Sequence, residues 1–184
     1  MSKSPDLALG DHAYSKFANT LFSLSYAMTS ANQYGDMSLE DVVSMVDVAK
    51  AAGYRTDWIS FHNRSSMSSA GVTMIAERCD DSYWEKNYDG YTLEVLKKLP
   101  PAKKRVIFIN IDGSHYTYIA RVPVNLRDKL GISKEDPYHD YDLTIAYEDQ
   151  VMKDIFEYAQ ENLNLKYMIY LSGHGENMKH FHTP

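Results

Sequence analysis

The feature that most constrains the fold is a run of six residues at 106–111, which reads Val-Ile-Phe-Ile-Asn-Ile. An unbroken apolar run of this length is typical of a strand that is covered on both faces, as in parallel sheets. A second short run at 167–171, Tyr-Met-Ile-Tyr-Leu, has the same character. We therefore expect both runs to be central parallel strands.

Helical and extended patterns alternate along the rest of the chain. Apolar spacing predicts helices at 20–28, 38–53, 91–99 and 138–162, and β-rich runs predict strands at 54–61 and 71–76. Alternation of this kind indicates an α/β fold with a mostly parallel central sheet flanked by helices. The polar residues 1–13 are expected to be flexible, and residues 14–184 to form one domain.

Composition excludes several classes of function. The net charge of −6 argues against a nucleic-acid partner. The sequence has no signal-peptide pattern and no apolar run long enough to span a membrane, so a soluble domain is expected. Cys79 is the single cysteine, so no internal disulfide can form, and we expect a buried, unreactive thiol.

Histidine-containing loops follow three of the predicted strands. They are 62–65 (His-Asn-Arg-Ser), 112–115 (Asp-Gly-Ser-His) and 172–174 (Ser-Gly-His). In open α/β sheets, ligands bind at the carboxyl ends of the strands. The three loops are therefore expected to meet at one edge of the sheet.

Short motifs along 20–184 resemble one family in both content and order. The segment Thr20-Leu-Phe-Ser-Leu resembles T-x-x-S-V-P, and residues 52–60 resemble G-Y-x-T-x-W-I-S. Residues 108–115 resemble F-I-H-L-M-G-S-H, residues 141–149 are similar to Y-D-N-T-I-x-Y-T-D, and residues 172–176 resemble S-D-H-G-E. The chain thus resembles the lipid A and core-lipopolysaccharide phosphoethanolamine transferases of the sulfatase and alkaline-phosphatase superfamily.

The resemblance implies an alkaline-phosphatase-like fold and a mechanism. Thr20 would be both the nucleophile and a zinc ligand, and His174 a second zinc ligand. His115 and His182 would hold the phosphoethanolamine group, with Asn63, or less favourably His62, as a further polar contact. The family transfers phosphoethanolamine from a phospholipid to a lipopolysaccharide phosphate, through a phospho-threonine intermediate, at the periplasmic face of the inner membrane. In the family, N-terminal helices make the attachment to the membrane. We expect His115, His174 and His182 to gather near Thr20.

The sequence also departs from the family pattern. Gly173 stands where the family has a zinc-binding Asp, Met67 stands where it has a Lys, and the family's E-S-x-R motif, whose Glu binds zinc, would lie upstream of residue 1. Two of four zinc ligands are therefore missing, so we expect weak zinc binding and little turnover unless Asp112, Glu176 or His180 substitutes. The alternative is a pseudoenzyme, or a fragment of the superfamily, that binds an anionic ligand. A true sulfatase is disfavoured, because no Pro follows a Cys or Ser by two residues.

Overall fold

The structure is a computed structural model that describes residues 7–10, 12–31, 34, 41–66 and 69–175. Its α-helices and strands, in chain order, are α1 (Thr20–Ala27), α2 (Met45–Ala51), β1 (Arg55–Ser60), α3 (Ala70–Ala76), β2 (Asp81–Trp84), α4 (Thr92–Leu96), β3 (Arg105–Asn110), α5 (Val124–Arg127) and α6 (His139–Asn162). Two 3-10 turns, Asp89–Tyr91 and Tyr118–Arg121, precede α4 and α5.

Three parallel strands form a sheet in the order β2-β1-β3. β1 pairs along its whole length with β3, from Arg55 opposite Arg105 to Ser60 opposite Asn110. Helices and strands alternate along the chain and the strands are parallel, which confirms the α/β class. Because the strands are parallel, their carboxyl ends lie at the same edge, where the loops that begin at Phe61, Glu85 and Ile111 emerge.

Apolar side chains cover both faces of β1. Trp58 points to one face, where it packs in a buried cluster with residues of α2 and α3 and with the half-buried Cys79. Ile59 points to the other face, where it meets residues of α4 and α6. Burial raises the pKa of Cys79 to about 11, as expected of an unreactive thiol. β1 is thus the strand with helices packed over both of its faces.

The two expected central strands differ from the prediction. The run at 106–111 does form a parallel strand, but it lies at an edge of the described sheet and all six residues of β3 are partly exposed. The run at 167–171 is not a strand, and Tyr167 and Ile169 are 91% and 80% exposed. An apolar sequence sets the tendency of a segment to form a strand, but pairing needs a neighbouring strand, and the described residues supply none beside 167–171.

Two further predictions are corrected. Residues 71–76, predicted as a strand, lie in helix α3, because the face with Val72, Ile75 and Ala76 packs on Trp58. The helix predicted from Ser38 begins at Met45, where Ser44 and Asp47 form a capping box. Ser38 itself lies outside the described residues. The long helix predicted at 138–162 is confirmed as α6.

Among the residues that the structure describes, no helix has both the length and the apolar character that crossing a bilayer requires.

Candidate functional site

Thr20 and His174, which are far apart in the sequence, are in contact. The Thr20 hydroxyl oxygen lies 3.4 Å from His174 Nε2. His174 Nδ1 lies 2.8 Å from the carbonyl oxygen of Gly175, which can only accept, so Nδ1 carries a proton. Nε2 can therefore accept the proton of the Thr20 hydroxyl.

Two peripheral segments hold this contact together. Thr20 is the first residue of α1, and the side chain of Asn19 caps the helix by accepting from the Phe22 amide at 3.1 Å. Because Asn19 is the cap, the Thr20 hydroxyl takes no part in capping the helix. The Ser15 hydroxyl is 2.7 Å from the Gly173 carbonyl oxygen, which fastens the histidine loop to the chain that leads into α1.

A cleft of 630 Å³ opens at the carboxyl edge of the sheet. Its polar and charged lining includes side chains that follow β1, β2 and β3: His62, Asn63, Lys86, Asp112, His115 and Arg121. His115 and Asn63, two of the predicted substrate contacts, and the alternative His62 thus line one cavity. Thr20 and His174 are not among the described residues that line it.

An ion-paired network crosses one wall of the cleft. Asp112 pairs with Arg121, and its other carboxyl oxygen lies 3.3 Å from His62 Nδ1. His62 Nε2 donates to the carbonyl oxygen of Ile111 at 2.8 Å. Arg121 also donates to the carbonyl oxygen of His115 at 3.2 Å. The network links the loops after β1 and β3 and fixes the backbone that carries His115.

A buried carboxylate, that of Asp89, lies beneath the loop 112–115. Asp89 is 2% exposed and accepts from the amides of Asp112 at 2.9 Å and Gly113 at 2.8 Å. Gly113 has a φ of +58°, a left-handed conformation that favours glycine. Nearby, the hydroxyls of Ser114 and Thr144 are hydrogen-bonded at 2.8 Å, which ties the loop to α6.

A second buried acid, Glu148 of α6, lies beside Asp89. Its side chain is 6% exposed, and no group of the described residues donates to either of its carboxyl oxygens. Burial and the neighbouring Asp89 carboxylate raise the pKa of Glu148 to about 9. Sequence reasoning missed this pair. The available signal was a glutamate on the inward face of a helix whose other inward residues include Leu143, Tyr147 and Val151.

The structure therefore places some of the predicted site residues in two separate sites, and the others lie outside the described residues or carry no side chain. Thr20 and His174 form one contact, and His115 and Asn63 line the cleft. His182, Met67, Glu176 and His180 lie outside the described residues. At Gly173 an added Cβ would meet Leu24 atoms at 3.8 and 3.9 Å, ordinary contact distances, so this position has room for a side chain.

Relatives of this chain include proteins named phosphoethanolamine transferases. The chain is 24% identical to phosphoethanolamine transferase EptC of Escherichia coli strain K12, over 98% of this chain and 34% of the relative. It is 23% identical to phosphoethanolamine transferase CptA of Salmonella typhimurium, also over 98% of this chain and 34% of that protein. The chain thus spans about a third of the length of these relatives.

Solved structures show the same fold. The C-terminal periplasmic domain of EcEptC from Escherichia coli matches with a TM-score of 0.75 at 24% identity, over 87% of this chain and 50% of that domain. The zinc complex of that domain matches with a TM-score of 0.72 at 24% identity, over 85% of this chain and 49% of the other.

A family model gives the broadest assignment. The model described as Sulfatase matches residues 12–183, which is almost the whole chain. The order of the motifs along 20–176, the parallel sheet and the named relatives agree with this match. The chain belongs to the sulfatase family, and within it resembles the phosphoethanolamine transferases.

Proposed function

We propose that this chain carries the nucleophile of a phosphoethanolamine transferase, and that Thr20 takes the phosphoethanolamine group from a phospholipid and passes it to a phosphate of lipopolysaccharide. The proposal extends to the periplasmic side of the inner membrane, because the related solved structures are periplasmic domains. The observation that carries it is the 3.4 Å contact between the Thr20 hydroxyl and His174 Nε2.

The proposed chemistry follows from that contact. A threonine hydroxyl is a weak nucleophile until a base takes its proton. In the first step the Thr20 oxygen bonds to phosphorus, the bond from phosphorus to the lipid oxygen breaks, and the proton moves to His174 and on to the departing lipid alkoxide. In the second step a phosphate oxygen of the acceptor bonds to phosphorus, the bond from phosphorus to the Thr20 oxygen breaks, and the proton of the monoanionic acceptor phosphate passes through His174 to the Thr20 oxygen. The start of α1 favours negative charge at Thr20 throughout.

The cleft is the proposed place for the rest of the substrate. Lys86 and Arg121 are cations that suit phosphate oxygens, and His115 and Asn63 supply further polar contacts, as the resemblance implies. Asp112 is a carboxylate that suits the ammonium of ethanolamine. Lysine, arginine and carboxylate side chains around one cavity match a headgroup that carries both signs of charge.

The described residues do not fit a zinc site. Zinc in proteins takes four ligands, or three and a water. Thr20 and His174 are two donors, Gly173 offers no side-chain donor, and among the described ranges no three His, Cys, Asp or Glu side chains are grouped to hold a metal ion. No step above therefore depends on a metal. Weak zinc binding stays a prediction for this chain.

A trapping experiment tests the nucleophile. The purified chain is incubated with phosphatidylethanolamine in detergent micelles and digested, and the peptide that contains Thr20 is weighed for a phosphoethanolamine adduct. We expect the adduct in the parent and in Thr20→Ser, but not in Thr20→Ala. Thr29→Ala is the matched control, because Thr29 lies just beyond the other end of the same helix and donates to the Ser25 carbonyl oxygen. An adduct that persists in Thr20→Ala would overturn the proposal.

A second arm tests the missing carboxylate. Zinc affinity by calorimetry and cleavage of a chromogenic phosphodiester are measured for the parent and for Gly173→Asp. We expect the variant to bind zinc at least about tenfold more tightly, because it restores an anionic oxygen beside His174. Tight zinc binding with clear turnover in the parent, abolished by Thr20→Ala, would exclude the alternative of a pseudoenzyme that binds an anionic ligand.

A further inference from the structure

Two buried carboxyl groups, Asp89 and Glu148, lie on neighbouring elements under the cleft, and the proposed chemistry uses neither. The Gly90 amide, next to Asp89, donates at 2.9 Å to the hydroxyl of Tyr147, next to Glu148, which joins the two elements. Asp89 comes from the 3-10 turn before α4, and Glu148 comes from the inward face of α6. Both are more than nine-tenths buried. Two ionised carboxylates this close and this dry repel each other and lose hydration, so the pair keeps one proton.

The hydrogen bonds decide which acid holds the proton. Each oxygen of Asp89 accepts from a backbone amide, that of Asp112 or that of Gly113, so the charge is stabilised on Asp89. Glu148 has two buried oxygens to which no described group donates. A buried carboxylate without donors is costly, and a neutral acid beside a carboxylate donates its own proton instead. Glu148 is therefore the protonated member and Asp89 its acceptor.

We infer that Glu148 is a positioning residue: as a neutral acid it donates to Asp89 and so holds the loop 112–115 in the geometry that forms the cleft. Glu148 affects the cleft through Asp89, whose two hydrogen bonds fix the backbone of Asp112 and Gly113. That backbone carries Asp112 and His115 into the cavity. The inference rests on the proposed function only in treating the cleft as the place where substrate binds.

Glu148 differs from the family pattern that its segment resembles. The resemblance to Y-D-N-T-I-x-Y-T-D covers 141–149, and Glu148 stands at the threonine of that pattern. The other member of the carboxyl pair, Asp89, belongs to a different segment of the fold, the 3-10 turn before α4. An uncompensated second charge there would push the loop away from α6, which is why its protonation matters.

Other titratable groups face the pair and have to be separated from it. Asp112 lies on the loop above and is paired with Arg121. Tyr147 precedes Glu148 on α6 and accepts from the Gly90 amide, and burial raises the pKa of Tyr147 to about 12. Tyr170 approaches Glu148 from the segment after α6. Burial and the nearby Glu148 raise the pKa of Tyr170 above its ordinary value, so Tyr170 should titrate above Glu148, and a Tyr170→Phe variant checks that the transition belongs to Glu148.

The direct test is NMR of the full chain, which needs no turnover. The carboxyl carbon of Glu148 is followed from pH 5 to 10, together with the amide shifts of Asp112 and Gly113. We expect Glu148 to be protonated at pH 7 and to titrate near the pH of about 9 given above, with both amides shifting at the same midpoint. Tyr170→Phe should keep that midpoint, and Glu148→Gln, whose amide still donates to Asp89, should remove it.

Two outcomes overturn the inference. One is a Glu148 carbon that is ionised at pH 7 in the parent, a measurement that needs no variant to fold. The other is an amide transition that persists unchanged in Glu148→Gln. A functional readout adds a second measure: above pH 9, KM for a chromogenic phosphodiester should rise in the parent and stay flat in Glu148→Gln, with kcat changed less. If no phosphodiester is cleaved, the proposed function fails while the NMR result still decides the role of Glu148.

Discussion

The Thr20–His174 contact and the cleft loop are held in contrasting ways. Thr20 and His174 meet through one long hydrogen bond between peripheral segments, and the loop that carries His174 is fastened by Ser15, an exposed residue. The cleft loop 112–115 is instead anchored through its backbone to Asp89, a carboxylate that is almost fully buried. Thr20 and His174, which are proposed to react, are thus held by exposed contacts that single substitutions can remove. The cleft loop, which is proposed to bind substrate, is instead held by a buried group of the core.

The largest effect on stability is expected from Asp89→Ala, which removes the buried anchor of the cleft loop. The substitution removes the acceptor of two backbone amides, and hydrogen bonds to a charged group are worth about 1.5–3 kcal/mol each. We expect a loss of roughly 3–5 kcal/mol in the free energy of unfolding, measured by urea denaturation. Asp149→Ala, a neighbouring exposed acid on α6, should change it by less than about 0.5 kcal/mol. Equal losses in the two variants would show that the carboxylate does not anchor the loop.

Glu148→Gln should instead raise the free energy of unfolding, by an amount that depends on pH. The pKa of Glu148 is about 9 in the folded chain, above the value of about 4.3 of an unperturbed glutamate. Between these pH values the unfolded chain binds fewer protons at this position, so the contribution of Glu148 to stability falls as pH rises. We expect Glu148→Gln to be more stable than the parent by about 1–3 kcal/mol at pH 8, with the gap closing towards pH 4. Thermal unfolding of both proteins across this range measures the gap, and a constant gap would contradict the assignment.

Around Thr20, one substitution should lower stability and a different one should abolish the proposed chemistry. Asn19 caps α1, and loss of an N-cap side chain costs about 1 kcal/mol, so Asn19→Ala should lower the free energy of unfolding by that amount. Thr20→Ala should lower it by less than about 0.5 kcal/mol, because the Thr20 hydroxyl does not cap the helix. Denaturant unfolding of both variants beside the trapping assay checks this. A larger loss in Thr20→Ala than in Asn19→Ala would mean that Thr20 is a structural residue.

The smallest effect on stability is expected from Gly173→Asp. A Cβ at this position meets Leu24 at ordinary contact distances, and the glycine has no positive φ that a side chain would strain. We expect the melting temperature to stay within about 2 °C of the parent in a thermal scan without added metal. A drop well beyond that range would show that the loop before His174 cannot take a side chain and that the calorimetry of this variant reports on folding.

The sequence predicted the secondary structure correctly where the local pattern and the burial favour the same kind of element. The spacing along 138–162 predicted α6, because it repeats over many turns of a helix, and the run at 106–111 predicted β3, because it is rich in valine, isoleucine and phenylalanine. The stretch Ala70–Ala76 also contains β-branched residues, but packing on Trp58 decided for a helix. The loops after β1 and β3 meet as expected, which is why His115 and Asn63 share one cavity, whereas the loop 172–174 follows a segment that is not a strand and does not line it.

What the sequence could not supply were relations between distant residues. The edge position of β3 depends on which strands pair, and the carboxyl pair depends on a turn at Asp89 meeting a helix at Glu148. The spacing along α6 indicates that Glu148 faces inward, but no local pattern shows that Asp89 is its neighbour. The Thr20–His174 contact was predicted from the resemblance, and the roles of the two residues as nucleophile and ligand stay predictions.

The exposed segment 167–171 has a consequence for how the protein behaves in solution. Tyr167, Ile169, Tyr170 and Leu171 are each more than half exposed, and β3, an edge strand of the described sheet, is partly exposed along its whole length. Exposed apolar segments and exposed sheet edges are features that promote aggregation of chains. Purification at high concentration should therefore lead to reversible self-association, which mild detergent or a lysine substituted at Ile169 should suppress.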